Sequence, residues 1–159
     1  MGTRKSFQDN RSKTLTIAVQ AAHLKKMFPD STLTLAANSR LTWVGQLLPS
    51  ELSQRYTVKI KYRLKERPVV TVVQPELYVP KDKSLPHVFS GNELCLFRYK
   101  YFEWDSSMII AKTIVAWASL WLLYSEIWLA TGQWCGSNQE HPGADTLKED
   151  EQAAEEVEA

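Results

Sequence analysis

Apolar and polar positions change rhythm several times along the chain. From Leu15 to Phe28 the period is helical: Ile17, Ala21, Leu24 and Phe28 fall on one face. Lys25 and Lys26 suit the C-terminal end of that helix, and Pro29 stops it. The period then shortens to that of strands. Thr32–Ala36 is a short alternating run, and Asn38-Ser39 is a turn signal. Leu41, Trp43 and Leu47 share a face in the next run, with Gly45 at a bulge or a close contact, before Pro49-Ser50 breaks it. Gln54–Arg63 alternates most clearly. Tyr56, Val58, Ile60 and Tyr62 point one way; Arg55, Thr57, Lys59, Lys61 and Arg63 point the other. Val69–Val73, entered through Pro68, is a fourth strand. The links are short, and parallel neighbours need crossovers of about a dozen residues or more, so the strands predict an antiparallel meander.

Residues 74–106 break the rhythm. Pro75, Pro80 and Pro86 punctuate a mostly irregular stretch, and a stretch this long in a compact domain is usually either functional or a misassignment of its elements. The spacing then predicts one long helix or two over Ser106–Thr131, ending at Gly132. Trp117, Trp121, Tyr124 and Trp128 form a stripe on it, read most simply as the face packed on the sheet. Met108–Ala130 is apolar enough to suggest a membrane span. Only 13 uncharged residues separate Lys112 from Glu126, however, against about 20 needed to cross a bilayer, so a buried or peripheral helix is expected and no membrane partner. Helix, four strands, irregular loop and helix in that order predict an α+β fold with helices flanking one curved sheet.

Charge divides the chain. Residues 140–159 hold eight acids and one base, leaving ten acids and eighteen bases in 1–139, although the whole chain carries only +1. Residues 1–13 are expected to be a flexible N-terminus, 14–139 the domain, and 140–159 an acidic disordered tail. The tail is expected to screen the basic stripe Arg55, Lys59, Lys61, Arg63, Lys65 and Arg67, or to compete with an acidic partner there. No aromatics interleave those bases, so they read as a solvated outer sheet face rather than a nucleic-acid footprint. With 159 residues, 44% of them hydrophobic, the chain has material for one domain and one core. The first residues lack the apolar stretch of a signal peptide, and two cysteines make no disulfide framework, so a reducing, cytoplasmic setting is expected.

Few groups can do covalent chemistry. Cys95 follows Ser90-Gly91-Asn92 inside the long loop, where it is either a small buried hydrophobe or a thiol nucleophile on a tight turn. His87 lies eight residues earlier and reads more readily as a loop organiser than as a general base. Cys135, at the helix exit, reads as packing. His23 and His141 have no metal-ligand company, and no glycine-rich phosphate loop or paired carboxylate motif is present, so neither metal nor cofactor is expected.

At these residues the chain resembles the ubiquitin-conjugating enzymes. Leu85-Pro86-His87-Val88-Phe89 stands where that family has its His-Pro-Asn motif, and Leu94-Cys95-Leu96 where it has its catalytic cysteine. Pro68-Val69-Val70-Thr71-Val72 looks like its proline-entered fourth strand. Trp43-x-Gly45, Tyr56-x-Val58-x-Ile60-x-Tyr62, Pro86-His87-Val88-Phe89, Leu94-Cys95-Leu96 and Glu126-Ile127-Trp128-Leu129-Ala130-Thr131-Gly132-x-Trp134 are similar to the bacterial members in type II CBASS anti-phage operons. The likeness runs over about residues 15–143, leaving out the acidic tail.

The resemblance implies an N-terminal helix, a four-stranded antiparallel meander, an active-site loop carrying the cysteine, and C-terminal helices. It implies an acyltransferase in which Cys95 takes a protein C-terminus as a thioester and passes it to an amine. The implied partner is the C-terminus of a cGAS-like cyclic-oligonucleotide synthase, a CD-NTase, primed in this way for defence signalling. Either a separate activating enzyme supplies the donor, or the operon lacks one. The family's motif asparagine is absent; Asn92 or backbone N–H groups would take its place, while Asn92 reads equally well as a simple turn residue. Glu93, Glu103 and Asp105 are the candidates for the acid that positions the attacking amine. The missing asparagine motivates the alternative of a non-catalytic binding module for the synthase on the same fold.

Overall fold

The computed structural model describes residues 13–37, 39–98 and 103–136. The flexible N-terminus, apart from Lys13, and the acidic tail 140–159 expected from the sequence lie outside the described residues. The first helix, α1 (Ile17–Met27), begins where Thr16 turns its hydroxyl back to accept the N–H of Val19 at 3.2 Å. It ends where Phe28 leaves helical backbone, just before Pro29. Four strands follow: β1 (Thr32–Ala36), β2 (Arg40–Leu47), β3 (Tyr56–Arg63) and β4 (Val69–Gln74). Each pairs antiparallel with the next; Trp43 faces Ile60 across β2 and β3, and Ile60 faces Val70 across β3 and β4.

The alternation in β3 maps directly onto burial. Tyr56, Val58, Ile60 and Tyr62 are buried, as are Leu41, Trp43 and Leu47 on the adjoining strand, while Lys61 and Arg63 are exposed and Thr57 and Lys59 half-buried. Burying each large apolar side chain of this face contributes about 1.5–3 kcal/mol. Gly45 is paired regularly with Val58, so it marks a close approach rather than a bulge: a Cβ there would lie 2.2 Å from Cζ2 of Trp43. The Trp43 indole is held in place by its Nε1–H, which donates to Ser31 Oγ at 2.8 Å, and by the edge of Phe28 at 5.4 Å.

The stretch after β4 is more ordered than its prolines suggest. Two short strands, β5 (Val88–Phe89) and β6 (Glu93–Leu94), flank a 3-10 turn at Ser90–Asn92. β6 pairs with β4 through Thr71 and Glu93, so the sheet has six strands in the order β1-β2-β3-β4-β6-β5. The sequence expectation of four strands missed this extension because two-residue strands carry no readable period.

The last helix is shorter than the spacing predicts. α2 runs Ile114–Thr131 and closes on Gly132 in the left-handed conformation, whereas residues 106–113 are turns. Those turns are held by Gln20, a fully buried residue of α1. Its Nε2 donates to the Met108 carbonyl at 2.8 Å, and its Oε1 accepts the Ile110 N–H at 2.9 Å. By length and composition α2 could cross a membrane, with a mean hydropathy of 1.3, but Ile114, Val115, Ala118 and Leu122 belong to the same core as Leu24 of α1 and the inward face of the sheet.

Candidate active site

Cys95 directly follows β6. Val88 pairs with Leu94 and Phe89 with Glu93, so the next residues out, His87 and Cys95, also face each other, and the Cys95 N–H donates to the His87 carbonyl at 2.9 Å. The hairpin can close in so few residues because Gly91 (φ 76°) and Asn92 (φ 59°) take left-handed backbone. His87 is left-handed as well, at φ 52°, a conformation that costs a side-chain-bearing residue of the order of 1 kcal/mol or more. Its surroundings hold it there. The carbonyl also accepts Nε1–H of Trp121 at 3.0 Å, and the imidazole lies 4.8 Å from the Trp134 ring. The His87 carbonyl thus ties the cysteine loop to α2, and the residue as a whole is buried.

Cys95 and His87 line a cleft of about 330 Å³. Five aromatic side chains line it: Phe97, Trp117, Trp121, Tyr124 and Trp134. This corrects the reading of the α2 stripe as a sheet-facing surface. Trp121 and Trp128 are buried, but Trp117 and Tyr124 are only half-buried and look into the cleft. Trp134, beyond the end of α2, folds back to within 5.6 Å of Trp121 and 5.9 Å of Tyr124. Gly136 allows this return, since a Cβ there would meet Trp134 Nε1 at 2.6 Å.

The thiol itself is buried, not exposed on the turn; Cys95 is 5% accessible. Burial pushes its pKa up to about 11, Arg67 pulling the other way and Glu103 adding to the rise. At neutral pH it is therefore held as a thiol.

The sequence candidates separate in space. Glu103 lines the cleft, where its Oε1 accepts Arg98 Nε at 2.7 Å and its Oε2 accepts the Arg98 N–H at 2.7 Å. Asp105 serves a turn instead: Oδ1 accepts the N–H of Ser107 at 2.8 Å and also its hydroxyl. Asn92 is exposed on the 3-10 turn and does not line the cleft. Glu93 pairs with Arg67, whose guanidinium also sits 5.5 Å over the Phe89 ring. Arg67 therefore belongs to the cysteine hairpin and not to the outer-face stripe that the sequence assigned it to. Cys135 is exposed, so its reading as a packing residue was wrong. Sequence reasoning missed Phe97, Arg98 and Trp134 as site residues; Trp134 carried a signal, a large aromatic just past a helix-ending glycine. Among the described residues no group of His, Cys, Asp and Glu is placed to hold a metal.

No curated protein matches the chain. A family model described as Type II CBASS E2 protein matches residues 20–142, which takes in α1 from Gln20 onward, all six strands, α2, Cys95 and the residues that line the cleft, and the chain accordingly belongs to the type II CBASS E2 family.

Proposed function

We propose that Cys95 carries a protein C-terminus as a thioester and hands it to an amine. The observation that supports this most is the placement of the Cys95 thiol at the wall of a cleft, locked to His87 by a hairpin that lies within the span matched by the family. In the first step the sulfur bonds to the carbonyl carbon of a donor already activated by another enzyme. The bond to the donor's leaving group breaks, and the thiol proton ends on that leaving group or on solvent. In the second step an amine nitrogen bonds to the same carbon, the C–S bond breaks, and the sulfur regains a proton. Sulfur suits both steps because it attacks carbonyls well and leaves well. Membership of the type II CBASS family points to a cGAS-like CD-NTase as the owner of the C-terminus. Arg67 and Glu103 are the charges that tune the thiol, and Arg98 pairs with Glu103.

The experiment is a non-reducing gel of the protein co-expressed with its synthase and any operon activator. Wild type gives a thiol-sensitive adduct, Cys95→Ala gives none, and Cys95→Ser gives a slower-cleaved oxyester. Absence of any Cys95-dependent adduct overturns the reading. A non-catalytic scaffold is the second reading, favoured by the burial and raised pKa of the thiol. It requires Cys95→Ala to bind the synthase and to support phage defence at wild-type level.

A further inference from the structure

The cleft holds more apolar surface than a thiol needs. Trp117 and Tyr124 are large aromatics left half-exposed, and Leu120 beside them is 47% exposed. Exposed aromatic surface next to a reactive atom is a place for a ligand. A volume of about 330 Å³ is enough for one or two side chains, not for a folded surface. Two candidates reach it during the proposed reaction: the donor chain, whose last residues are tethered to Cys95, and the attacking amine. An ammonium ion would need an available carboxylate. Among the described residues, the carboxylate that lines the cleft is that of Glu103, and both its oxygens are on Arg98. The walls suit an uncharged, apolar group.

We infer that the cleft is a specificity pocket for the acyl donor, taking an apolar or aromatic side chain carried within the last few residues before the donor's C-terminal carbonyl. The inference rests on the thioester reading, since the tether supplies the reach: each extended residue advances the chain by about 3.3–3.6 Å. Burying a Leu- or Phe-sized side chain between Trp117 and Tyr124 selects donors by about tenfold or more over alanine. Tails made only of small residues at these positions are poor donors.

The test uses the full chain and short peptides ending in a thioester of a small thiol. Peptides carry Ala throughout, or Phe, Leu, Lys or Glu at one of the last four positions, and acylation of Cys95 is followed by intact mass. The inference predicts that Phe or Leu at one position outpaces Ala, Lys and Glu about tenfold. It predicts that this ratio falls toward one in Trp117→Ala and in Leu120→Glu, the latter an exposed position whose change spares the core. Equal rates for all peptides, or a preference unchanged in both variants, overturns it. A second arm keeps it apart from the thioester reading: the same peptides as free acids are titrated calorimetrically into Cys95→Ala. If no peptide acylates the wild type, the thioester reading fails. Binding that still favours Phe or Leu would then retain the pocket, and binding without preference would end it too.

Discussion

The backbone N–H of Cys95 and the carbonyl of His87 meet at 2.9 Å, and the same carbonyl takes the indole N–H of Trp121 at 3.0 Å. One oxygen thereby ties the cysteine loop to the middle of α2. Trp121→Phe keeps most of the ring and removes one of these two bonds. We expect a loss of about 1 kcal/mol in urea unfolding and a change in Cys95 alkylation rate without a change at Cys135.

Because burial raises the Cys95 thiol to about 11, its alkylation by iodoacetamide should be slow at pH 7, and exposed Cys135 should react first. The Cys95 rate should climb about tenfold per pH unit until near pH 11. The sign for stability follows. Above about pH 9 the unfolded thiol has lost its proton while the folded one keeps it, so this group makes stability fall as pH rises through 9 to 11. Urea unfolding at pH 8 and pH 10 should show a smaller fall for Cys95→Ala than for wild type.

The charges around the thiol act in opposite directions. Glu103→Gln removes a cause of the raised pKa and should shift the alkylation profile to lower pH. Arg67→Gln removes the opposing one and should shift it higher. Identical profiles in both variants would detach these residues from the thiol.

A second, partly buried network stands at the far end of α2. Glu126 accepts the Tyr56 hydroxyl at 2.8 Å and the Ser53 hydroxyl at 2.6 Å, pinning the β2–β3 loop. Burial, with Glu126 adding to it, raises the Tyr56 pKa to about 12. Glu126→Ala should cost about 2 kcal/mol, and Tyr56→Phe about 1 kcal/mol. A double-mutant cycle should show the two changes to be coupled.

Gly45→Ala places a methyl group inside the van der Waals radius of the Trp43 ring. With the indole fixed by Ser31 and Phe28, the clash should cost about 3 kcal/mol, measured as a lower urea midpoint. Gly91→Ala meets no atom within 4 Å and serves as the contrast, its cost being backbone conformation alone.

How far the chain could be read follows from where its information is local. The face of β3, the stop at Pro29 and the closure at Gly132 were legible because period two, proline and a C-terminal glycine each act within a few residues. Cys95 and His87 were legible as chemistry but not as geometry, because their pairing depends on left-handed backbone at three positions, two of them not glycine. Gln20 gave no sign of its burial, since an amide on a helix is ordinarily solvated. The Trp117–Tyr124 stripe was seen, but its destination was misjudged: a helix period tells which residues share a face, not which of two apolar surroundings that face meets.

Gln20 has one more consequence, for the order in which the chain is made. Its two partners lie 88 and 90 residues further on, at Met108 and Ile110. Of the elements described, α1 leaves the ribosome first, yet its buried amide has nothing to bond until the turn before α2 has been synthesised. The β1–β4 hairpins can assemble while the chain is still being translated, whereas α1 is sealed down only after the turn before α2 has emerged. On a stalled ribosome, protease should cut α1 in nascent chains that expose residues only as far as β4 and spare it once those beyond Ile110 are out.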